Sequence, residues 1–403
     1  MKHLEDYREI VGDNVITEIY RKARKLYGRH IVHINSTFMG GGVAEMLLSI
    51  APLMNYIGLN ADWVTFHGNQ DFFTLTKKIH NALQGDRIHW TKNKVNLYLN
   101  TNRNFSIYTH LGENYDLVII HDPQPLPLIR FYKKVQPWVW RCHVDLSHPN
   151  ETVWNFLKNF ILRYDLVIVS NEKYKNDIPI KYKIIHPAID PLSLKNMELD
   201  NETIRKYTKK FRIPTDKPLI TQISRFDKWK DPEGVIEVFK IVKEKVDARL
   251  VLCGSMATDD PEGYRILERV KRKAKRLIDK GDVILLTYEN NVLVNVLQRI
   301  SSVIIQKSLK EGFGLTVTEA LWKGKPVVAS RVGGITLQIE DGVNGFLVDP
   351  MDYEGTAQRI IEILKNPELA EELGRKGKET VRKKFLITRL LSDYLDVFNE
   401  LLG

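Results

Sequence analysis

Four charged side chains, and the glycines between two of them, are where this sequence could do chemistry. Glu311 and Glu319 flank Gly312-Phe313-Gly314-Leu315-Thr316, a glycine-bearing loop that runs into a helix predicted over 315–323. Gly324 closes that helix, and Pro326 cannot continue it. The first turn of a helix leaves backbone N–H groups unpaired and carries partial positive charge, so such a junction attracts phosphate. Two carboxylates beside an anion site repel the anion unless they hold something else, and sugar hydroxyls fit that need. Arg225 and Lys230 lie between a predicted strand and a helix that opens with Asp231-Pro232, a cap residue followed by proline. A planar guanidinium fork and a point-charge ammonium at a strand's carboxyl end suit a pyrophosphate. Each piece also has a plainer reading. The cations could be solvated, Glu311 a loop acid, Glu319 a charge favourable to the helix dipole, and the glycines a tight turn. Taken together, a phosphate cradle beside two hydroxyl acceptors suggests a sugar nucleotide.

A second set of candidates lies nearer the amino end. Gly40-Gly41-Gly42 follows a predicted strand and either lets a ligand approach the backbone or makes a plain turn. His143 sits at a strand end in Trp140-Arg141-Cys142-His143-Val144-Asp145, where it could position substrate, stabilise charge or serve structure alone. Asp122 and Gln124, in His121-Asp122-Pro123-Gln124-Pro125, end another strand; they could bind sugar hydroxyls or form an Asx-type turn. Several chemistries lack their signatures. There is no Asp-x-Asp pair for a metal-held diphosphate, no H-E-x-x-H and no G-x-x-x-x-G-K-[ST]. The G-x-G-x-x-G of hydride-transfer domains and the Gly-x-Ser-x-Gly of α/β-hydrolases are also missing.

These residues need a frame that brings strand ends together. Strands are predicted at 30–35, 62–66, 117–121, 138–143 and 166–170, with helices at 43–56, 73–83 and 151–162 between them. An amphipathic helix is expected within 1–28. Runs such as Leu117-Val118-Ile119-Ile120 do not alternate, as expected of strands buried on both faces. From 183 to 210 the pattern loosens, with prolines at 187 and 191. A second series follows: strands at 219–224, 249–253, 283–287, 302–306 and 345–348. Helices are predicted at 232–245, 264–278, 291–300 and 353–364, and through most of the rest to 402. The fold class is α/β, two doubly wound Rossmann-like domains in 403 residues. The expected domains are 1–195 and 196–383.

Composition is that of an ordinary soluble chain, 43% hydrophobic and 27% charged. The net charge of +10 is spread along the chain without a basic tail, which fits an anionic small substrate or a basic surface and does not signal nucleic acid. Cys142 and Cys253 lie in apolar runs and are read as buried thiols. The first residues are charged where a signal peptide is apolar, and no apolar run approaches the roughly 20 residues of a membrane span. A cytoplasmic location away from membranes is expected.

The ordered set of motifs resembles the retaining glycosyltransferases of the GT-B fold, the large family four. It comprises Gly41-Gly42-Val43-Ala44-Glu45, Arg225-x4-Lys230, Glu311-x7-Glu319, Gly324-Lys325-Pro326-Val327-Val328-Ala329, Gly333-Gly334 and Asn344-Gly345-Phe346-Leu347-Val348. More narrowly, Trp140 to Asp145 and His121 to Gln124 are similar to the branch holding archaeal trehalose glycosyltransferring synthases and trehalose phosphorylases. The chain departs from the pattern at Pro187-Ala188-Ile189-Asp190, where the family often has Gly-Val-Asp or Gly-Ile-Asp.

The resemblance implies two domains facing across a cleft, with the closing helix, 384–403, crossing back to the first. It implies a UDP- or ADP-glucose donor on the second domain, with Glu319 on the ribose and Arg225 and Lys230 on the diphosphate. Glu311 would hold glucose hydroxyls, and Gly312 to Thr316 would offer donors to glucose and phosphate. Gly41, Gly42, His143 and Asp145 would line the acceptor side. The implied reaction is reversible transfer of glucose to glucose, giving α,α-trehalose with retention. No cofactor or protein-bound metal is required, although Mg2+ could accompany the diphosphate, and a homodimer is left open. The rivals are a trehalose phosphorylase using inorganic phosphate, an epimerase of the same fold, and a sugar-nucleotide sensor without turnover.

Overall fold

The computed structural model describes residues 2–38, 41–112, 114–254 and 261–403. The chain divides into two compact units, Met1–Ala188 with Ile387–Gly403, and Ile189–Leu386. The divisions fall at 188/189 and 386/387, not at the expected 195/196 and 383/384. The reason is a parallel bridge between Ile189 and Leu386, in which Ile189 N–H donates to Phe385 O at 2.9 Å. It ties the two ends of the second unit to each other.

The first unit is built on six strands: β1 (His30–Asn35), β2 (Asn60–Thr65), β3 (Leu117–His121), β4 (Trp138–Arg141), β5 (Leu166–Val169) and β6 (Tyr182–Ile184). All pair in parallel, in the order β2-β1-β3-β4-β5-β6. Leu117, Val118, Ile119 and Ile120 are wholly buried, as their unbroken apolar run requires. The chain's closing helix, Ile387–Leu402, buries Leu390, Leu391, Tyr394, Leu395 and Phe398 in this unit. Asn399 Nδ2 donates to Lys22 O at 3.1 Å, and Lys22 pairs with Asp396 at 2.6 Å.

The second unit repeats the plan with β7 (Leu219–Ile223), β8 (Arg249–Cys253), β9 (Val283–Leu286), β10 (Val303–Gln306), β11 (Val327–Ser330) and β12 (Phe346–Val348). Its order is β12-β11-β10-β7-β8-β9, again all parallel. In such open sheets a ligand sits outside the carboxyl ends of strands, where the strand order reverses. That point lies between β1 and β3 in the first unit and between β7 and β10 in the second.

Several elements differ from the sequence reading. The amphipathic helix expected within 1–28 is Asp13–Ala23, which starts after Gly12 leaves the helical region at φ 86°. β4 stops at Arg141, so His143 lies just past it. Helix Lys92–Tyr108 escaped notice because the polar Asn102 lies wholly buried in its inner stripe between Tyr98 and Phe105. The loosened region holds β6 and helix Asn201–Lys210, which buries no residue and so shows no apolar stripe. Its one sequence signal is the Asp200 cap, which accepts from Thr203 N at 2.6 Å. Among the described residues no helix is long and apolar enough to cross a membrane, and both cysteines are buried and unpaired.

Close packing beneath the second sheet gives a test. A Cβ on Gly374, in helix Pro367–Lys384, would stand 2.0 Å from the Gly324 carbonyl oxygen. Gly374→Ala is expected to lower stability by about 1–3 kcal/mol in denaturant unfolding. Wild-type stability would contradict this contact.

Candidate active site

The switch point of the second sheet collects the charged residues singled out in the sequence. The loop after β7 carries Arg225 and Lys230; the loop after β10 carries Glu311 and leads into helix Leu315–Trp322. Lys230 Nζ pairs with Glu311 Oε2, and both side chains are largely buried. Ser308 Oγ donates to the same carboxylate oxygen at 3.1 Å. Behind Ser308 runs a line of side-chain bonds. Thr316 Oγ1 donates to Gln306 Oε1, and Gln306 Nε2 donates to Ser308 Oγ, each at 3.0 Å. The line fixes the carboxylate from the protein side and turns the Thr316 hydroxyl inward. Arg225 is half exposed, 3.8 Å from Asp227.

The helix start has the geometry of an anion site. Gly314 is its N-cap, in the left-handed region at φ 87° and ψ 62°, and no side chain caps it. Gly334 lets the opposing turn approach: a Cβ there would lie 2.5 Å from Phe313 Cα and 2.6 Å from Gly312 O. Gln338 Nε2 donates to Phe313 O at 2.6 Å and 3.3 Å away from it is Gly314 O, so the loop backbone is held from below. The Phe313 ring is buried against Phe385, 5.5 Å between centroids. Phe313 therefore has backbone alone to offer a ligand. At the helix end, Gly324 N–H donates to Leu321 O and Lys325 N–H to Ala320 O, a Schellman closure with Gly324 at φ 69°.

Glu319, one turn into the helix, is buried. Gln298 Nε2 donates to its Oε2 at 3.4 Å, and Lys195 Nζ lies 3.7 Å from its Oε1. Beneath it Lys323 Nζ donates to Asn196 Oδ1 at 2.9 Å. Burial lowers Lys323 to about 7, against the pull of Glu319 and with the push of Arg299 and Lys195. Lys307, wholly buried, pairs with Asp231, donates to Pro350 O at 2.7 Å and stands 4.3 Å above the Tyr353 ring. Asp231 is held left-handed at φ 41° and caps the next helix, accepting from Gly234 N at 3.0 Å. The sequence reading missed Lys307, Ser308, Gln306, Gln298, Lys195 and Lys323. The polar run Gln306-Lys307-Ser308 at a strand's carboxyl end was the available signal.

In the first unit the candidates gather at the ends of β1, β3 and β4. Gly41, at φ 89°, caps helix Gly42–Tyr56, which begins at Gly42 itself; Gly40 lies outside the described residues. Asp122 takes the left-handed region at φ 62°, and its Oδ1 accepts from His143 N at 2.8 Å. Burial raises its carboxyl to about 6, opposed by that bond and by Arg141. Gln124 has its side-chain oxygen buried without a hydrogen-bond partner among the described residues, and Asp145 is turned to Ser147, accepting from N at 2.9 Å and Oγ at 2.6 Å. The hydroxyl-binding role expected of Asp122 and the acceptor-side role implied for Asp145 thus compete with bonds each already makes to the protein. No cluster of three or more metal-ligating side chains occurs among the described residues.

Two doubly wound parallel-sheet halves are the architecture of the GT-B fold. A model of the "Trehalose synthase, N-terminal domain" matches residues 33–176, and one of "Glycosyl transferases group 1" matches residues 203–380. A trehalose synthase of Pyrococcus horikoshii is 47% identical, across 100% of this chain and 97% of that one. A trehalose phosphorylase of Grifola frondosa is 30% identical, across 94% of this chain and 58% of its own. The solved sucrose-phosphate synthase of Thermosynechococcus elongatus superposes with a TM-score of 0.73 at 18% identity, covering 93% of this chain and 99% of that one, and shows the fold. The chain belongs to the trehalose synthase family of glycosyltransferases.

Lys323 makes the site's burial measurable. Its ordinary pKa is 10.5 and its folded value is about 7, so between them the unfolded chain binds more protons than the folded one. Its contribution to stability therefore rises with pH across that window and is flat below it. The stability difference between wild type and Lys323→Met should shift in favour of wild type from pH 7 to pH 10. A difference that stays constant would contradict the buried placement.

Proposed function

We propose that the protein transfers glucose from UDP- or ADP-glucose to free glucose, giving α,α-trehalose reversibly and with retention. The observation that carries this reading is the Lys230–Glu311 pair beside the uncapped helix start at the β7/β10 switch point. A diphosphate entering there meets the Lys230 ammonium, Arg225 and the backbone of Gly312 to Thr316. Displaced from Lys230, Glu311 turns to glucose hydroxyls. Glu319 accepts from the ribose hydroxyls, a role its buried carboxylate suits and a phosphate there would not. This favours a nucleotide over inorganic phosphate, as does the full-length likeness to trehalose synthases against the partial one to a phosphorylase. An epimerase would have no use for an acceptor site, and a sensor no use for the intact set of charges. In the first unit, Gly41, Gly42, Asp122, Gln124, His143 and Asp145 surround the acceptor glucose.

The step balances without a cofactor. The bond from glucose C1 to the β-phosphate oxygen breaks, and a bond from C1 to the acceptor's O1 forms on the same face. The acceptor's hydroxyl proton passes to the departing diphosphate. Charge grows on that diphosphate as its bond to C1 stretches, and Lys230, Arg225 and the helix start oppose it most at that moment. Any Mg2+ would travel with the diphosphate, since the protein's own residues supply the positive charge. The substrates are small molecules; neither nucleic acid nor membrane enters the reading, the expected compartment is cytoplasmic, and a homodimer is compatible with it.

Purified protein incubated with trehalose plus UDP, ADP or inorganic phosphate should release nucleotide-glucose and glucose. Glucose 1-phosphate would identify a phosphorylase, and no turnover of trehalose in any mixture would sink both readings. Lys230→Ala is expected to cost activity on the order of 10²–10³-fold while leaving the fold intact, the scale of losing one preorganised charge-stabilising donor. Wild-type rates would reject the assignment.

A further inference from the structure

Three histidines form a line through the first unit, and the reaction above gives a role only to the outermost, His143. His33 Nδ1 lies 3.1 Å from His121 Nε2, and His121 Nδ1 lies 3.1 Å from His143 Nε2. They come from β1, β3 and the residues just past β4, so the line crosses the point where the strand order reverses. His33 and His121 are buried, and His143 alone is partly open. Burial, reinforced by the Arg141 guanidinium, lowers His33 to about 3 and holds His121 and His143 well below the usual imidazole range. All three are neutral.

A neutral imidazole carries one N–H, so the line can point only one of two ways. Pointing outward, His33 Nδ1–H donates to His121, His121 Nδ1–H donates to His143 Nε2, and His143 is left with Nδ1–H at the open end. Pointing inward, every bond reverses and the line ends in a His33 Nε2–H. The inner end decides between them. His33 Nε2 is buried with no hydrogen-bond partner among the described residues. Arg141 Nη1, which can only donate, is buried in the same condition. Both residues pack on one ring: the His33 and Tyr394 rings are near-perpendicular, 5.8 Å between centroids, and Arg141 Cζ lies 5.1 Å from the Tyr394 centre. An inward line leaves a buried His33 Nε2–H without an acceptor and aims it toward the positive Arg141 guanidinium. An outward line places a lone pair there, which the guanidinium field favours, and a buried N–H without an acceptor is the rarer and costlier arrangement. The closed inner end also gives a proton no exit, so the line sets a direction and does not conduct.

We infer that His33 and His121 are positioning residues that lock His143 as the Nδ1–H tautomer, presenting a hydrogen-bond donor to an oxygen lone pair of the acceptor sugar. The role at the sugar rests on the reading of the first unit as the acceptor side. A donor that stays neutral cannot take the acceptor's proton, which agrees with that proton leaving on the diphosphate. It can hold and orient a hydroxyl oxygen through the reaction.

The test is a long-range 1H–15N spectrum of ligand-free protein labelled at histidine nitrogen, with the His143 signals identified by their loss in His143→Gln. The expected result is protonated Nδ1 and bare Nε2 at neutral pH. Protonated Nε2, or an imidazolium, would overturn the inference whatever the protein's substrate. His33→Leu removes the innermost donor, whereas the amide nitrogen of His33→Asn replaces it where Nδ1 stood. His33→Leu should release His143 into mixed tautomers and lower kcat/KM for the acceptor sugar about tenfold, with His33→Asn recovering most of both. An unchanged His143 spectrum in His33→Leu would remove His33 from the device. If His33→Leu does not fold, the wild-type spectrum still decides. Failure of trehalose turnover with the expected tautomer present would strike the sugar reading and leave the locked histidine standing.

Discussion

The bond between Lys230 and Glu311 is the constraint on which the second unit's site depends. A buried ammonium and a buried carboxylate are each costly alone, and their pairing offsets part of that cost. The pair also joins the loop after β7 to the loop after β10, the two strands between which the sheet changes direction. Supporting bonds point the same way. Ser308, Gln306 and Thr316 hold the carboxylate in line, and Gln338 with Gly334 hold the loop backbone. A site built in this manner is ready for an anion because one of its charges is merely borrowed. An arriving diphosphate can claim Lys230, and Glu311 then needs hydrogen-bond donors of the kind a sugar carries.

The two units apply the same topological rule to different chemistry. In the second, the switch point is lined by cations, a helix start and acids, with Lys307 and Asp231 locked together at its base. In the first, the switch point is occupied by neutral imidazoles and by carboxylates already bonded to backbone or to a neighbouring hydroxyl. A charged, growing leaving group suits the former. An uncharged sugar suits the latter, where orientation matters more than charge. The proposed division of labour between the two sheets is compatible with membership in the trehalose synthase family.

Much of this was legible in the chain. The parallel sheets followed from apolar runs such as Leu117 to Ile120, and the helix start from Gly314 and its Gly324 closure. What stayed hidden was polar and buried. Lys307, Gln298, Lys323 and the His33–His121 line sit at positions whose sequence context is apolar strand or amphipathic helix, and their partners are distant in the chain. Asn102 hid a whole helix by interrupting its apolar stripe. Helix Asn201–Lys210 hid for the opposite reason, since it buries nothing. Prolines marked the loosening of the chain near the unit boundary, and the bridge between Ile189 and Leu386 marks where the second unit begins. Local patterns report which face is apolar; they do not report which distant polar group will answer a buried one.

The central claim, a diphosphate cradle completed by Lys230 and a ribose acceptor at Glu319, is tested most directly by calorimetric titration of the free protein with UDP, ADP and inorganic phosphate. A nucleoside diphosphate is expected to bind far more tightly than phosphate, and Lys230→Ala and Glu319→Ala are each expected to weaken it by about tenfold or more. Equal affinity for phosphate and nucleotide, or nucleotide binding indifferent to both substitutions, would contradict it.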